Sequence, residues 1–151
     1  MTAIRLIFIS QAGNTRSFVN KLVAYAKTQP EQLTFEAVEV TELTPDRSEN
    51  DPYFAFVPTY LDGGNGIDNG VKEILTTPLR DYLTYADNQA QLLGIIGSGN
   101  KNFNAQYILT ARRYASNLHV PLIGDYELRG NERDVARIYR LIKDRLATSN
   151  S

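Results

Sequence analysis

Short apolar runs alternate along the chain with small polar turns and with stretches whose apolar positions recur at helical spacing. The run Ile4-Arg5-Leu6-Ile7-Phe8-Ile9 is rich in β-branched and aromatic residues and predicts a buried strand. It leads through Ser10-Gln11-Ala12-Gly13-Asn14-Thr15 into a helical pattern in which Phe18, Leu22, Val23 and Tyr25/Ala26 share one face. Residues 33–40 alternate around Phe35, Ala37 or Val38, and Val40, as expected of a strand nearer a sheet edge. The polar, proline-bounded residues 41–52 then read as a surface connection rather than a domain linker, because two strands are too few to enclose a core.

Tyr53-Phe54-Ala55-Phe56-Val57 predicts a third strand that stops at Pro58, whose missing N–H cannot continue a central ladder. After Pro58-Thr59-Tyr60 comes Leu61-Asp62-Gly63-Gly64-Asn65-Gly66-Ile67-Asp68-Asn69-Gly70, read as a loop, with four of the ten glycines. Residues 71–75 and 79–85 predict helical pieces, with Pro78 at the start of the second. Leu92-Leu93-Gly94-Ile95-Ile96 is almost wholly apolar, as in a strand covered on both faces. It ends in the expected turn Gly97-Ser98-Gly99-Asn100-Lys101-Asn102-Phe103-Asn104. A helix over 105–117, a strand over 121–128, a helix over 131–146 and a frayed tail complete the pattern.

Strands alternating with helices at these lengths imply right-handed βαβ units. The expected fold is α/β, a flavodoxin-like, three-layer, doubly wound, five-stranded parallel sheet of order 2-1-3-4-5, forming a single domain over residues 1–151. In such a sheet the ligand crevice lies at the carboxyl ends of the strands, so the turns after the first, third and fourth strands should converge. Alone, the Ser10 to Thr15 turn reads equally well as a polar helix cap or as a phosphate cradle at the positive end of a helix. Convergence of the three turns richest in glycine and hydroxyl groups favours the cradle.

Composition narrows the chemistry. With 16 Lys+Arg against 17 Asp+Glu, nothing suggests nonspecific attraction to nucleic acid or membrane. The absence of cysteine excludes thiol catalysis, disulfides and iron–sulfur ligation, leaving any redox work to a bound cofactor. Met1-Thr2-Ala3 runs straight into the first strand, so no signal peptide or membrane span is expected and the default location is cytoplasmic. No GxxxxGK[ST] sequence supports a P-loop, and the first strand ends in Ile9-Ser10-Gln11, without the acidic residues of a receiver domain. His119, the one histidine, reads as an ordinary loop residue.

Flavin mononucleotide suits the crevice loop by loop. Its phosphate could take the Gly13, Asn14 and Thr15 amides and the Ser10 and Thr15 hydroxyls. Tyr60 offers a face for the isoalloxazine. Gly63, Gly64 and Gly66 would let a peptide group reorient beside flavin N5, and the backbone of Gly97-Ser98-Gly99-Asn100 could meet the pyrimidine edge.

These residues resemble the NrdI family, flavodoxin-like activators of class Ib ribonucleotide reductase. The resemblance rests on Ser10 with Gly13-Asn14-Thr15-Arg16 and Phe18, and on Pro58-Thr59-Tyr60 followed by glycines. It rests more specifically on Gly97-Ser98-Gly99-Asn100-Lys101-Asn102-Phe103 and on Tyr126-Glu127-Leu128-Arg129-Gly130 with Asp134. It implies noncovalent FMN and a complex with the small, dimanganese subunit of the reductase, which holds the metal. The reduced flavin, replenished by a separate electron donor, reduces dioxygen to a superoxide-type oxidant for assembly of the partner's tyrosyl radical. This describes an accessory redox flavoprotein rather than a stand-alone metabolic enzyme. Carried onto this chain, the phosphate falls to Ser10, Gln11, Ala12, Gly13, Asn14 and Thr15. The ring falls to Pro58, Thr59, Tyr60, Gly63, Gly64 and Asn65, and its far edge to Gly97, Ser98, Gly99, Asn100, Asn102 and Phe103. Ala12 stands where flavodoxins commonly carry a hydroxyl, and Asn104 where glycine is expected. The alternative is a general electron-transfer flavodoxin, which would surround its flavin with more carboxylates than Asp62 and Asp68.

Overall fold

The computed structural model describes residues 3–10, 13–31, 33–62, 72–74, 77–100 and 108–149. In chain order the elements are β1 (Ile4–Phe8), α1 (Asn14–Lys27), β2 (Phe35–Glu39), β3 (Tyr53–Pro58), β4 (Tyr60–Asp62), β5 (Lys72–Ile74), α2 (Thr77–Thr84), α3 (Asn88–Gln91), β6 (Leu92–Gly99), α4 (Leu109–Leu118), β7 (Leu122–Glu127) and α5 (Glu132–Ser149). Five of the strands form a sheet of order β2-β1-β3-β6-β7, parallel at every pairing. This is the 2-1-3-4-5 order expected from the apolar runs, with helices on both faces.

The central strands look uniformly apolar in sequence because both of their faces are covered. Ile7, Ile9, Ala55, Val57 and Ile95 pack with Leu79 and Leu83 of α2 and Ala111 and Leu118 of α4. Their alternates Leu6, Phe8, Phe54, Phe56 and Ile96 pack with Phe18 and Leu22 of α1 and Ile138 and Ile142 of α5. β2 lies at the edge, and accordingly Glu36 and Ala37 are exposed while Phe35 is buried.

Three elements depart from the expectation. Lys72–Ile74 is a strand, paired antiparallel with Tyr60–Asp62, and not part of a helix over 71–75; five residues are too few for periodicity to separate the two. The fourth strand of the large sheet does not stop at Ile96. β6 continues through Gly97 and Ser98 to Gly99, pairing on one side with Val57 and Pro58 and on the other with Asp125, Tyr126 and Glu127. Gly97 is a glycine because a Cβ there would stand 2.7 Å from the Ala111 Cβ, so α4 could not lie as close to the sheet. The short α3 has no apolar periodicity of its own; Asn88 at its start instead serves a polar cluster at the amino edge of the sheet.

In that cluster the buried Glu49 carboxylate accepts from Arg5 Nε at 2.8 Å and from the Tyr82 hydroxyl at 2.6 Å. Asn88 accepts from the Glu49 N–H and donates to the Arg47 and Tyr82 carbonyls, while the Tyr53 hydroxyl donates to the Asn88 carbonyl. Burial pushes the Tyr53 and Tyr82 phenols above their usual range. Residues 47–49 of the polar connection are thereby fastened to the sheet, at the edge opposite the expected crevice.

Candidate functional site

The parallel register brings the ends of β1, β3 and β6 together. Phe8 lies beside Phe56, Pro58 lies beside Ser98, and the Thr59 N–H donates to the Ser98 carbonyl at 2.8 Å. Ser10, Thr59 and Asn100 therefore follow neighbouring strands at one edge, as the switch-point rule requires. Gln11, Ala12, Gly63, Gly64, Asn65, Asn102 and Phe103 lie outside the described residues.

The turn after β1 carries the features of an anion site. Gly13 stands at the N-cap of α1 with φ +87°, a left-handed conformation that side-chain-bearing residues rarely adopt. Among the described residues a Cβ there would meet Arg16 Nη1 at 3.6 Å, an ordinary contact, so the φ angle rather than crowding requires glycine. The first amides of α1 have no intrahelical carbonyl to bond and point out of the positive end of the helix. Among the described residues, the Thr15 Oγ1 is buried without a hydrogen-bond partner, in a residue 1% exposed. Such an atom costs about 1–3 kcal/mol unless something bonds to it. Ser10 Oγ accepts the Arg16 N–H at 3.2 Å, which leaves its own proton to donate.

Arg16 grips Glu39, the last residue of β2, with both arms of its guanidinium. Nε to Oε1 and Nη2 to Oε2 are each 2.7 Å, and the Arg16 fork holds the Glu39 carboxyl below the usual carboxylate range. On the other flank Arg129 Nε donates to Asn14 Oδ1 at 3.4 Å, joining the segment after β7 to the start of α1.

The remaining expected site residues divide by what they touch. Pro58 is the buried last residue of β3, and the Thr59 Oγ1 accepts the Thr110 N–H at 3.1 Å in the first turn of α4. Ser98 is buried within β6, one position out of phase with Gly97, and so on the α1/α5 side of the sheet. The Gly99 carbonyl accepts the Leu128 N–H, and Asn100 follows directly. Tyr60 opens β4. His119 is the exposed C-cap of α4 with φ +56°, a loop residue as expected. A groove of about 700 Å³ between α2 and α4, lined by Arg80, Asp81, Arg113 and Asn117 among others, is bounded by none of the described turn residues after β1.

Glu39 is the participant that the sequence does not reveal. It is 23 residues from Arg16 and reads there as a polar position on an edge strand. The Tyr126 to Gly130 segment, by contrast, carries visible structural reasons. Tyr126 stacks on Phe18 of α1 with centroids 3.7 Å apart, and Gly130, at φ +68°, lies so close that a Cβ would stand 2.6 Å from the Phe18 ring.

A doubly wound parallel sheet with this strand order defines the flavodoxin-like fold. A short-chain flavodoxin associated with a bacterial microcompartment superimposes with a TM-score of 0.67 over 98% of this chain and 99% of its own, at 15% identity, a likeness of fold. The NrdI flavodoxin-like family matches residues 6–140, and the chain belongs to that family. An NrdI-like protein of Streptococcus pyogenes is 47% identical over 147 residues, covering 97% of this chain and 96% of the relative. The NrdI protein of Chromohalobacter salexigens is 33% identical over 131 residues, 87% of each chain. Membership of a flavodoxin-like family implies FMN as the cofactor. The orphaned Thr15 hydroxyl beside the left-handed Gly13 fits its phosphate.

Proposed function

We propose that the chain is an FMN-binding redox activator of a class Ib ribonucleotide reductase, acting in complex with the small, dimanganese subunit of that enzyme. The observation that carries the cofactor reading is the buried Thr15 Oγ1 at the first turn of α1, without a hydrogen-bond partner among the described residues and so available to a phosphate oxygen. Membership of the NrdI family supports the partner. The Ser10 and Thr15 hydroxyls and the amides of residues 13–15 hold the phosphate, with Gln11 and Ala12 in the same turn. Pro58, Thr59, Tyr60, Gly63, Gly64 and Asn65 border the ring, and Gly97, Ser98, Gly99, Asn100, Asn102 and Phe103 its far edge. Of these residues, Gly97 sets the distance between β6 and α4, and Thr59 fastens the start of α4, so both act by shaping the wall. When bound and reduced by an external electron donor, FMN supplies electrons to dioxygen, and the oxidant so made serves the partner's metal site. The chain's own residues anchor the cofactor.

The spectrum of the purified protein, followed by an anaerobic redox titration, tests this reading. Oxidised-flavin absorbance that survives gel filtration is the expected result. A colourless protein that FMN cannot reconstitute overturns it. Widely separated one-electron potentials with a very low second step would instead identify a general electron-transfer flavodoxin.

A further inference from the structure

The point where β1 passes into the turn before α1 is braced from outside by an ion pair. Arg16 Nη2 lies 3.5 Å from the Ser10 carbonyl oxygen, and the Arg16 N–H donates to Ser10 Oγ at 3.2 Å. The same guanidinium is bound at 2.7 Å through two nitrogens to Glu39. Glu39 is itself fixed, because it pairs in register with Phe8, the last residue of β1, and the next residue, Val40, donates its N–H to the Phe8 carbonyl at 2.7 Å. A planar fork held at two points cannot swing towards a phosphate without breaking both charge-assisted bonds, and the carboxylate cancels most of its charge.

We propose that the Arg16–Glu39 pair is a positioning clasp that fastens Ser10, where β1 enters the phosphate turn, to the first turn of α1, Arg16 serving as a brace and not as a phosphate ligand. The clasp rests on the reading of this turn as the FMN phosphate site. It assigns a role to β2, an edge strand. A ligand-binding residue held in place in advance loses less entropy when the ligand arrives, and this is how a residue that does not touch the ligand can raise affinity for it.

Two flavins separate this role from a general structural one, since riboflavin has the same ring as FMN and no phosphate. The apoprotein is titrated with each by flavin fluorescence, for the wild type, Glu39→Gln and Arg16→Lys. Both substitutions should weaken FMN binding about tenfold, the scale of one charge-assisted contact, and leave riboflavin binding unchanged. Lysine keeps the charge but cannot form the fork, so it should fail alongside the glutamine variant. Tighter or unchanged FMN binding in Glu39→Gln would show that Glu39 restrains Arg16 from the phosphate or is irrelevant to it, and overturns the clasp. Wild-type affinity in Arg16→Lys, or equal losses for both flavins, overturns it as well. If the wild type binds riboflavin and FMN equally, the phosphate assignment of the turn fails first, and the clasp with it.

Discussion

Phe18 and Tyr126 lie face to face with ring centroids 3.7 Å apart and planes inclined by 10°. The contact joins the second turn of α1 to the penultimate residue of β7, and so ties the helix that follows β1 to the far side of the sheet. Gly130 closes over the Phe18 ring in a left-handed conformation. Gly130→Ala should therefore lose at least about 2 kcal/mol, from overpacking against a ring with no room to retreat and from the unfavourable φ. Urea unfolding of the apoprotein measures this.

The polar cluster at the other edge of the sheet gives a second prediction. Glu49, with a side chain 2% exposed, is bonded to Arg5, whose side chain is 19% exposed. Glu49→Ala would leave that guanidinium and the Tyr82 hydroxyl without the carboxylate. Arg5 keeps its ion pair with Glu36 at 3.0 Å, so a loss of about 1–3 kcal/mol is expected, the cost of the Tyr82 hydroxyl left without its acceptor, measured as a lower unfolding midpoint. FMN affinity of the folded fraction should be unchanged, because the cluster lies at the edge remote from the phosphate turn.

At Gly13 the need is conformational, which predicts a graded series. Gly13→Asn, a residue that tolerates the left-handed region, should retain most FMN affinity. Gly13→Val, β-branched and very poorly suited to positive φ, should abolish FMN retention on gel filtration. Equal loss in both variants would show that bulk near the ligand, and not φ, decides the position.

Thr15→Val removes the orphaned hydroxyl at nearly constant shape. Because the hydroxyl has no hydrogen-bond partner among the described residues, its loss should leave the melting temperature of the apoprotein unchanged or raised. FMN affinity should fall about tenfold, the free energy of one hydrogen bond to a charged group. Calorimetry of the apoprotein and a flavin titration test the two halves separately.

Much of this was legible in the sequence because the apolar runs are long enough to define strands and the turns between them have distinctive composition. The sheet order and the gathering of Ser10, Thr59 and Asn100 at one edge followed from those alone. Three features were not legible, each for a physical reason. Residues 72–74 are too few to show a period, so their strand pairing with residues 60–62 read as helix. Gly97 looked like a turn residue, whereas its missing side chain makes room for Ala111 of α4, a contact that sequence spacing does not reveal. Glu39 meets Arg16 only after β2 has paired with β1, and nothing local marks a glutamate on an edge strand as part of a site.

Formation of the partner's radical tests the central claim most directly. The FMN-loaded protein, reduced anaerobically, is mixed with the manganese-loaded small subunit of a class Ib ribonucleotide reductase and exposed to dioxygen, and the tyrosyl radical is followed by electron paramagnetic resonance. The account predicts a radical signal that requires the chain, FMN and dioxygen together and that falls in Thr15→Val in step with its flavin occupancy. A signal equally strong without the chain, or none with the fully loaded and reduced protein bound to the subunit, would contradict it.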